Sequence, residues 1–422
     1  MNISGTLDNR AGAIDGDRLW RSIEAVARIG ALPGGGCSRM AFSDEDCEAR
    51  SLFARWAGEA NCEVRIDAFG NMFAWRPGSD VAAPAVLVGS HLDTQPHGGR
   101  FDGIYGVMAG LEVVRAMNDA GIETEAPVVV VNWTNEEGVR YAPGLTGSGA
   151  FSGLLDREAV LGIRGIDGSR FGEQAAKAGF AGDFEPAGAA FKAYVEPHIE
   201  QGPHLERLGI PVGVVPAVQG VHWITVELTG ADRHAGTTAM NARRDTFMAA
   251  ARMAVAMRAA ALEASSEIRF TVGRIKVEPG SANTVPGHTT FDIDMRHAEK
   301  AVLEKVEADL RRIADRIAIE ENVDCIVTRI MDVPPIVFDK EVVTAVERAV
   351  ERSGYPVHHI VSGAMHDASN LAHIIPTAMI FVPSRDGISH AEDEWTEPEH
   401  VTAGCQVLFN AVLELAGARS TR

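Results

Sequence analysis

Four short stretches put histidine and acidic side chains where a metal ion could be held. They are His91-Leu92-Asp93, Asn135-Glu136-Glu137, Glu196-Pro197-His198 and Ser389-His390, with Asp102 inside Gly98-Gly99-Arg100-Phe101-Asp102-Gly103. Imidazole mixed with carboxylate suits zinc, cobalt or manganese better than magnesium or calcium. Two such ions sharing one carboxylate would acidify a water between them. Glu136 stands beside a candidate ligand without having to be one. A free carboxylate there can take the water's proton and later return it to a leaving nitrogen. Asp93, two residues after His91, can accept from that ring and orient it. Each piece alone is ordinary: the chain has 14 histidines, adjacent glutamates are common on loops, and Asp102 could be a helix cap. Their agreement is what points to a metal site.

The agreement comes from the elements that precede these residues. Residues 84–90 (PAVLVGS) and 127–133 (PVVVVNW) are short apolar runs, as buried strands should be, and residues 191–196 are a plausible third. Between the first two, residues 104–120 carry Ile104, Val107, Met108, Leu111 and Val114 on one helical face. This β–α–β rhythm predicts a mostly parallel sheet covered by helices. In such sheets ligands bind beyond the carboxyl ends of the strands, where these residues fall. The middle of the chain reads as strand 222–229, helix 243–264, strands 268–277 and 289–297, helix 299–319 and strand 323–331. That order belongs to a ferredoxin-like sandwich. After Pro334-Pro335 the first pattern resumes, with helix 340–353, strands 359–361 and 377–382, and helix 398–416. The expected architecture is therefore an α/β catalytic domain, residues 1–213 and 331–422, interrupted by an α+β domain at 214–330.

Bulk properties narrow the partners. With 422 residues, two or three domains are expected. The net charge of −19 disfavours nucleic acid and anionic membranes, and an anionic substrate would need a local positive site. The inserted domain lacks the aromatic-rich strand of an RNA reader. Five cysteines, an odd number without CxxC, suggest reduced thiols and a cytoplasmic setting. Residues 1–20 lack an apolar core and do not read as a signal peptide. No apolar run is long enough to span a bilayer.

The motifs GSHLDTQPHGGRFDG (89–103), WTNEEG (133–138), EPHIEQGP (196–203), HAGTT (234–238), ANTVPG (282–287), DMRH (294–297), SGAMHDA (362–368) and GISHAEDE (387–394) carry a resemblance. From about Trp20 to Leu415 the chain resembles the dinuclear-metal aminoacylase and carboxypeptidase superfamily. It is most similar to the branch of N-carbamoyl-L-amino-acid hydrolases, β-ureidopropionases and allantoate amidohydrolases. The resemblance implies two divalent ions per subunit (Zn, Mn, Co or Ni). Asp102 would bridge them, with His91 and His198 on one ion and Glu137 and His390 on the other. It implies Glu136 as general base, and Gln201, His234, Asn283 and Arg296 as substrate-binding residues, with Gly363 and Ala364 lining the pocket. It also implies that the inserted domain is a lid and dimerisation domain, and that His234 acts in trans in a homodimer. Read from the residues, Arg296 could pair with a substrate carboxylate and His234 could donate to an oxyanion. Met365 departs from the pattern, standing where the family has glycine, and a thioether there would narrow the pocket or favour an apolar side chain.

The expected activity is hydrolysis of the carbamoyl amide of an N-carbamoyl amino acid, giving the amino acid, carbon dioxide and ammonia. Allantoate amidohydrolase or N-acyl amino acid hydrolase is the alternative. A non-catalytic ligand-binding protein on the same scaffold would have no need of Glu136.

Overall fold

The computed structural model describes residues 13–185 and 191–419. The reading of the N-terminus as no signal peptide therefore falls, up to residue 12, outside the described residues. Contacts divide the chain into two compact units, one ending at Pro216 and resuming at Val337, the other Ala217–Ile336.

The first unit is built on continuous apolar runs. Ala85–His91, Val128–Trp133 and Thr377–Val382 are buried at every residue, as strands covered on both faces must be. With Phe191–Ile199 they form the centre of a seven-stranded sheet. Its order is Glu63–Ile66, Met72–Arg76, Val128–Trp133, Ala85–His91, Phe191–Ile199, Thr377–Val382, Gly213–Val215. The four central strands are parallel and the flanking pairs antiparallel. Helix Ile104–Asp119 is buried along most of its length on this sheet. Gly106 permits that approach: a Cβ there would lie 2.5 Å from the Pro197 carbonyl oxygen and 2.6 Å from the Ser90 side chain.

The second unit has four antiparallel strands in the order Arg269–Glu278, His288–His297, Gly220–Thr229, Asp324–Val333. Burial alternates strictly along His288–His297. The inward residues Phe291, Ile293 and Met295 share a core with Ile224 and Val226, with Met253 and Met257 of helix Thr246–Ala264, and with Leu303 and Leu310 of helix Lys300–Glu321.

Some expectations change. Residues 359–361 form no strand; His359 makes one isolated bridge to Val214. The run is short, and the Ser362 hydroxyl accepts from Ala364 N and donates to Ala364 O, turning the chain immediately after it. Gly213–Val215 takes the sheet edge instead, antiparallel to Thr377–Val382. This holds the chain in the first unit to Pro216 rather than residue 213. Likewise the strand begun at Asp324 runs to Val333, and the return falls after Ile336 rather than residue 330. The middle helix starts at Thr246, not 243, because the Asp245 carboxylate caps it by accepting from Met248 N. The antiparallel pair Glu63–Ile66 and Met72–Arg76 was not foreseen. Among the described residues no helix is long and apolar enough to cross a membrane. All five cysteines are free thiols.

One buried ion pair braces the site's approach. Asp46 and Arg50, one turn apart on helix Asp44–Glu59, are both fully buried and meet at 2.7 Å. Arg50 also donates to Gly70 O at 2.9 Å and to Thr134 Oγ1 at 3.3 Å, two residues before Glu136. Removing one partner strands a buried charge. Asp46→Ala should therefore lower the unfolding free energy by about 3–5 kcal/mol in urea denaturation. A loss below ~1 kcal/mol would show that water replaces the partner.

Candidate metal centre and active site

The parallel register sets two ligand groups side by side. His91 ends its strand opposite Trp133, so the chain leaving Trp133 carries Glu136 and Glu137 beyond the sheet edge above it. On the other flank His198 lies opposite Phe381 near the end of Phe191–Ile199. Asp102 enters from the loop before helix Ile104–Asp119. Gly103 makes this possible: its φ is +69°, and a Cβ there would fall 2.4 Å from the His91 ring.

The two buried imidazoles are oriented alike. His91 Nδ1 bonds Asp93 O at 2.9 Å, and His198 Nδ1 bonds Ile199 O at 2.9 Å. Carbonyls only accept, so both Nδ1 atoms carry hydrogen and Nε2 is the nitrogen that each ring turns into the site. Those nitrogens face Asp102 Oδ1 at 3.9 Å from His91 and 3.1 Å from His198. The other carboxylate oxygen, Asp102 Oδ2, meets His390 Nε2 at 3.2 Å, and His390 Nε2 meets Glu137 Oε2 at 3.5 Å. Two three-residue sets thus share Asp102: His91, Asp102 and His198, all buried, and Asp102, Glu137 and His390, opening to solvent at His390.

Around these the expected helpers take definite places. Glu136 Oε2 lies 3.6 Å from His91 Nε2, beside both sets and within neither. Asp93 acts differently from expectation. Its backbone carbonyl orients His91, while its carboxylate accepts from the backbone N–H of Glu136 and of Glu137, both at 3.2 Å. It is therefore a positioning residue for the glutamate pair. Gln201 donates from Nε2 to Asp102 Oδ2 at 3.0 Å. Gln95 donates to Glu137 Oε2 at 2.7 Å.

The electrostatics ask for cations. Burial pushes the Glu137 carboxyl up to about 8, with Asp102 adding to it. Burial, then Glu137, Asp367 and Asp102, push Glu136 well above the usual range. Burial acts on Asp102 too, but bonds and charge from His198 and His390 hold it well below its ordinary value. Burial opposes a charged His198, yet Asp102 raises it to about 9; at His91 burial prevails and lowers it to about 4. Imidazole nitrogens converging with carboxylate oxygens, among acids that cannot all ionise, are a donor set that fits metal binding.

Comparison with known proteins settles the lineage. Residues 87–414 match the model for peptidase family M20/M25/M40. The chain belongs to that family. It is 41% identical to an N-carbamoyl-L-amino-acid amidohydrolase of Rhizobium meliloti, over 96% of this chain and 97% of the relative. It is 31% identical to an allantoate amidohydrolase of Bacillus subtilis, covering 93% and 96%. The crystal structure of a hydantoinase/carbamoylase family amidase from Burkholderia multivorans superposes with a TM-score of 0.91 at 46% identity, covering 96% and 98%. Like these M20 relatives, the chain is a hydrolase of amide C–N bonds, and the branch read from its motifs is the one its relatives occupy.

Several residues of this M20 site were not assigned from sequence. His366 is buried and packs edge-on against His198, ring centroids 4.5 Å apart. The Ser362 hydroxyl bonds His366 Nε2 at 2.9 Å and folds the Gly363-Ala364 turn around itself, so the expected pocket loop is tied to a ligand's neighbour. Glu394 accepts from Phe101 N and Asp102 N and fixes the Asp102 loop. Glu196 accepts from Ser90 Oγ and Ala368 N. The available signal was alternation: Glu196 and His198 are two apart on one strand and share its face.

The remaining expected residues lie in the second unit. His234 lies opposite Thr284 where Arg233–His234 pairs with Thr284–Val285, and the Asn283 carbonyl next to it accepts from Ala235 N at 2.9 Å. His234 Nδ1 accepts from Gly236 N at 3.1 Å and Thr237 N at 3.2 Å, which puts its proton on Nε2. Arg296 is held by Asp294 through two bonds of 3.0 Å.

Equilibrium dialysis tests the two-set geometry without reference to activity. The parent should retain two divalent ions per chain. His198→Ala should retain one and Asp102→Ala neither. Two ions in Asp102→Ala would remove Asp102 as the shared ligand.

Proposed function

We propose that this protein hydrolyses the carbamoyl amide of an N-carbamoyl amino acid. The observation that carries this is a free, largely buried Glu136 beside two ligand sets that share Asp102. His91, Asp102 and His198 would hold one divalent ion, and Asp102, Glu137 and His390 the other. Bound there, zinc, manganese, cobalt or nickel supplies a water of lowered pKa and a Lewis acid for the carbonyl.

The chain's own residues do the rest. Glu136 takes the proton of the attacking water as its oxygen bonds to the carbamoyl carbon. The His234 Nε2–H is a donor matched to the oxyanion that develops there. Glu136 then passes its proton to the amino acid nitrogen as the C–N bond breaks, and the carbamate falls to carbon dioxide and ammonia. Arg296 and Asn283 receive the substrate carboxylate, and Gln201, Gly363 and Ala364 line the pocket. Met365, about a third exposed, sits in that loop and biases it toward apolar side chains. Allantoate, which carries ureido groups and a carboxylate, is the second substrate reading, favoured by the Bacillus subtilis relative. Five free thiols accord with a reducing cytoplasm.

The second unit is read as a lid and dimerisation domain. Its edge strand Asp324–Val333 exposes Ile326 and Ile330, and helix Thr246–Ala264 exposes Met248, Val255 and Leu262 at heptad spacing. An open edge and an apolar stripe suit pairing across a two-fold axis. In that homodimer His234 of one chain serves the site of the other.

Two experiments test these readings. Glu136→Gln should abolish ammonia release from N-carbamoyl-L-amino acids while metal content stays at the parental level. Loss of metal instead would make Glu136 a ligand. Mixing inactive Glu136→Gln with inactive His234→Ala under subunit exchange should restore about a quarter of parental activity, since mixed dimers have one intact site. Proven exchange without recovery would mean that each site is built from one chain.

A further inference from the structure

A polar cavity of about 540 Å³ lies among helices Gly16–Ala27, Asp44–Glu59 and Ile104–Asp119. Arg115, on its wall, is thirteen residues along the helix from Asp102, or about 20 Å at 1.5 Å per residue. The cavity therefore shares nothing with the metal centre. Its charged lining is Arg18, Arg21 and Arg115 against Glu59 and Asp119, with Glu112 buried behind Arg18.

The three arginines differ in what they already hold. Arg18 is saturated: Nε and Nη2 grip Glu112 at 2.7 and 2.8 Å, and Nη1 takes Asp119 at 2.8 Å. Arg115 is half-buried, and among the described residues no carboxylate lies within ion-pair distance. It donates to Ser22 Oγ at 3.0 Å, and its guanidinium lies 5.4 Å from the Trp56 ring centroid. Ser22 Oγ itself donates to Arg18 O, so it is a fixed acceptor. Burial pulls Arg115 below its ordinary pKa; Glu112, Glu59 and Asp119 offset part of that and Arg18 adds to it. Arg21, on the exposed rim, has no partner among the described residues, and neither has the Asn61 amide beside it. A guanidinium presents five N–H donors in a plane. Here a half-buried one beside an indole leaves most of them unanswered among the described residues, with a second guanidinium and an amide lining the same cavity.

We propose that this cavity is a binding site for a small oxyanion, of the carboxylate or phosphate class, received by Arg115 and Arg21 with Trp56 as the floor. A bidentate guanidinium–oxyanion pair is the arrangement this donor geometry fits. With Arg18 spent on Glu112, Arg21 and Arg115 stand against Glu59 and Asp119, so the cavity is close to neutral, which favours a compact anion over a polyanionic chain.

The test uses the full-length, metal-loaded protein. Its thermal midpoint is followed with acetate and with inorganic phosphate, against chloride at equal ionic strength. An oxyanion at ten times its Kd should raise the midpoint by about 2 °C, saturably. Acetate acting alone would assign a carboxylate ligand, and phosphate acting as well would assign oxyanions generally. Arg115→Gln should abolish the response, and Arg115→Lys, which keeps the charge and loses the fork, should weaken the apparent Kd about tenfold. If Arg115→Gln does not fold, Arg21→Gln gives the same reading from an exposed position. Indole fluorescence should change on titration and lose that change in Trp56→Phe. The proposal is overturned if neither oxyanion acts beyond chloride, or if the response survives in both Arg115→Gln and Arg21→Gln.

Discussion

Too much negative charge is gathered in too little water around Asp102. Asp93, Glu136, Glu137, Glu196, Asp367 and Glu394 stand around that carboxylate, most of them buried. An isolated buried carboxylate would protonate rather than stay charged. Asp102 stays ionised only because three imidazoles converge on it. Two of those imidazoles are fixed at Nδ1 by backbone carbonyls, so that Nε2 is the nitrogen each turns toward it. A divalent cation placed there would take over the role that protons on those nitrogens play without it.

That constraint explains features which would otherwise be unrelated. The strands carrying His91 and His198 are parallel neighbours, so their carboxyl ends emerge at one edge. Gly103 removes the side chain that would strike His91. Glu394 reaches back to the N–H groups of Phe101 and Asp102, and Asp93 to those of Glu136 and Glu137. Asp93 and Glu394, buried acids that are not candidate ligands, thus spend their lone pairs holding the backbone of residues that are. The Asp46–Arg50 pair extends this bracing one layer further, through Thr134. Negative charge is thus both the reason for the cations and the means of aiming the residues that would hold them.

How much of this could be read from the chain depended on whether the signal was local. The parallel core was legible because its strands are unbroken apolar runs, and the ligands because each follows or ends one. The alternating strands of the second unit were legible for the same reason. What escaped was set by distant partners. Gly213–Val215 becomes an edge strand only because Thr377–Val382, far along the chain, offers an edge to it. Residues 359–361 have strand-like composition, but the Ser362 hydroxyl turns the chain away. Asp93 was read as orienting His91 by its carboxylate; whether the carboxylate or the carbonyl does so depends on where Glu136 and Glu137 arrive. His366 was passed over because its neighbour, His198, is far away in sequence.

The second unit carries a parallel lesson about charge on a net-negative chain. Arg296 was expected to meet a substrate carboxylate, and its guanidinium is already engaged by Asp294 through two bonds. Asp294 in turn accepts from Trp223 Nε1 at 2.7 Å, so it is itself fixed. Such a pair attracts an incoming anion less than a lone guanidinium would, because one negative charge is already close. It also loses less entropy on binding, since the fork is held in place beforehand. The same trade separates Arg18 from Arg115. Arg18, saturated by Glu112 and Asp119, is framework. Arg115 bonds a hydroxyl and lies beside an indole, so Glu112, Glu59 and Asp119 reach it through charge alone and its fork stays open. On this chain the company an arginine keeps, more than its presence, separates structural cations from those available to a ligand.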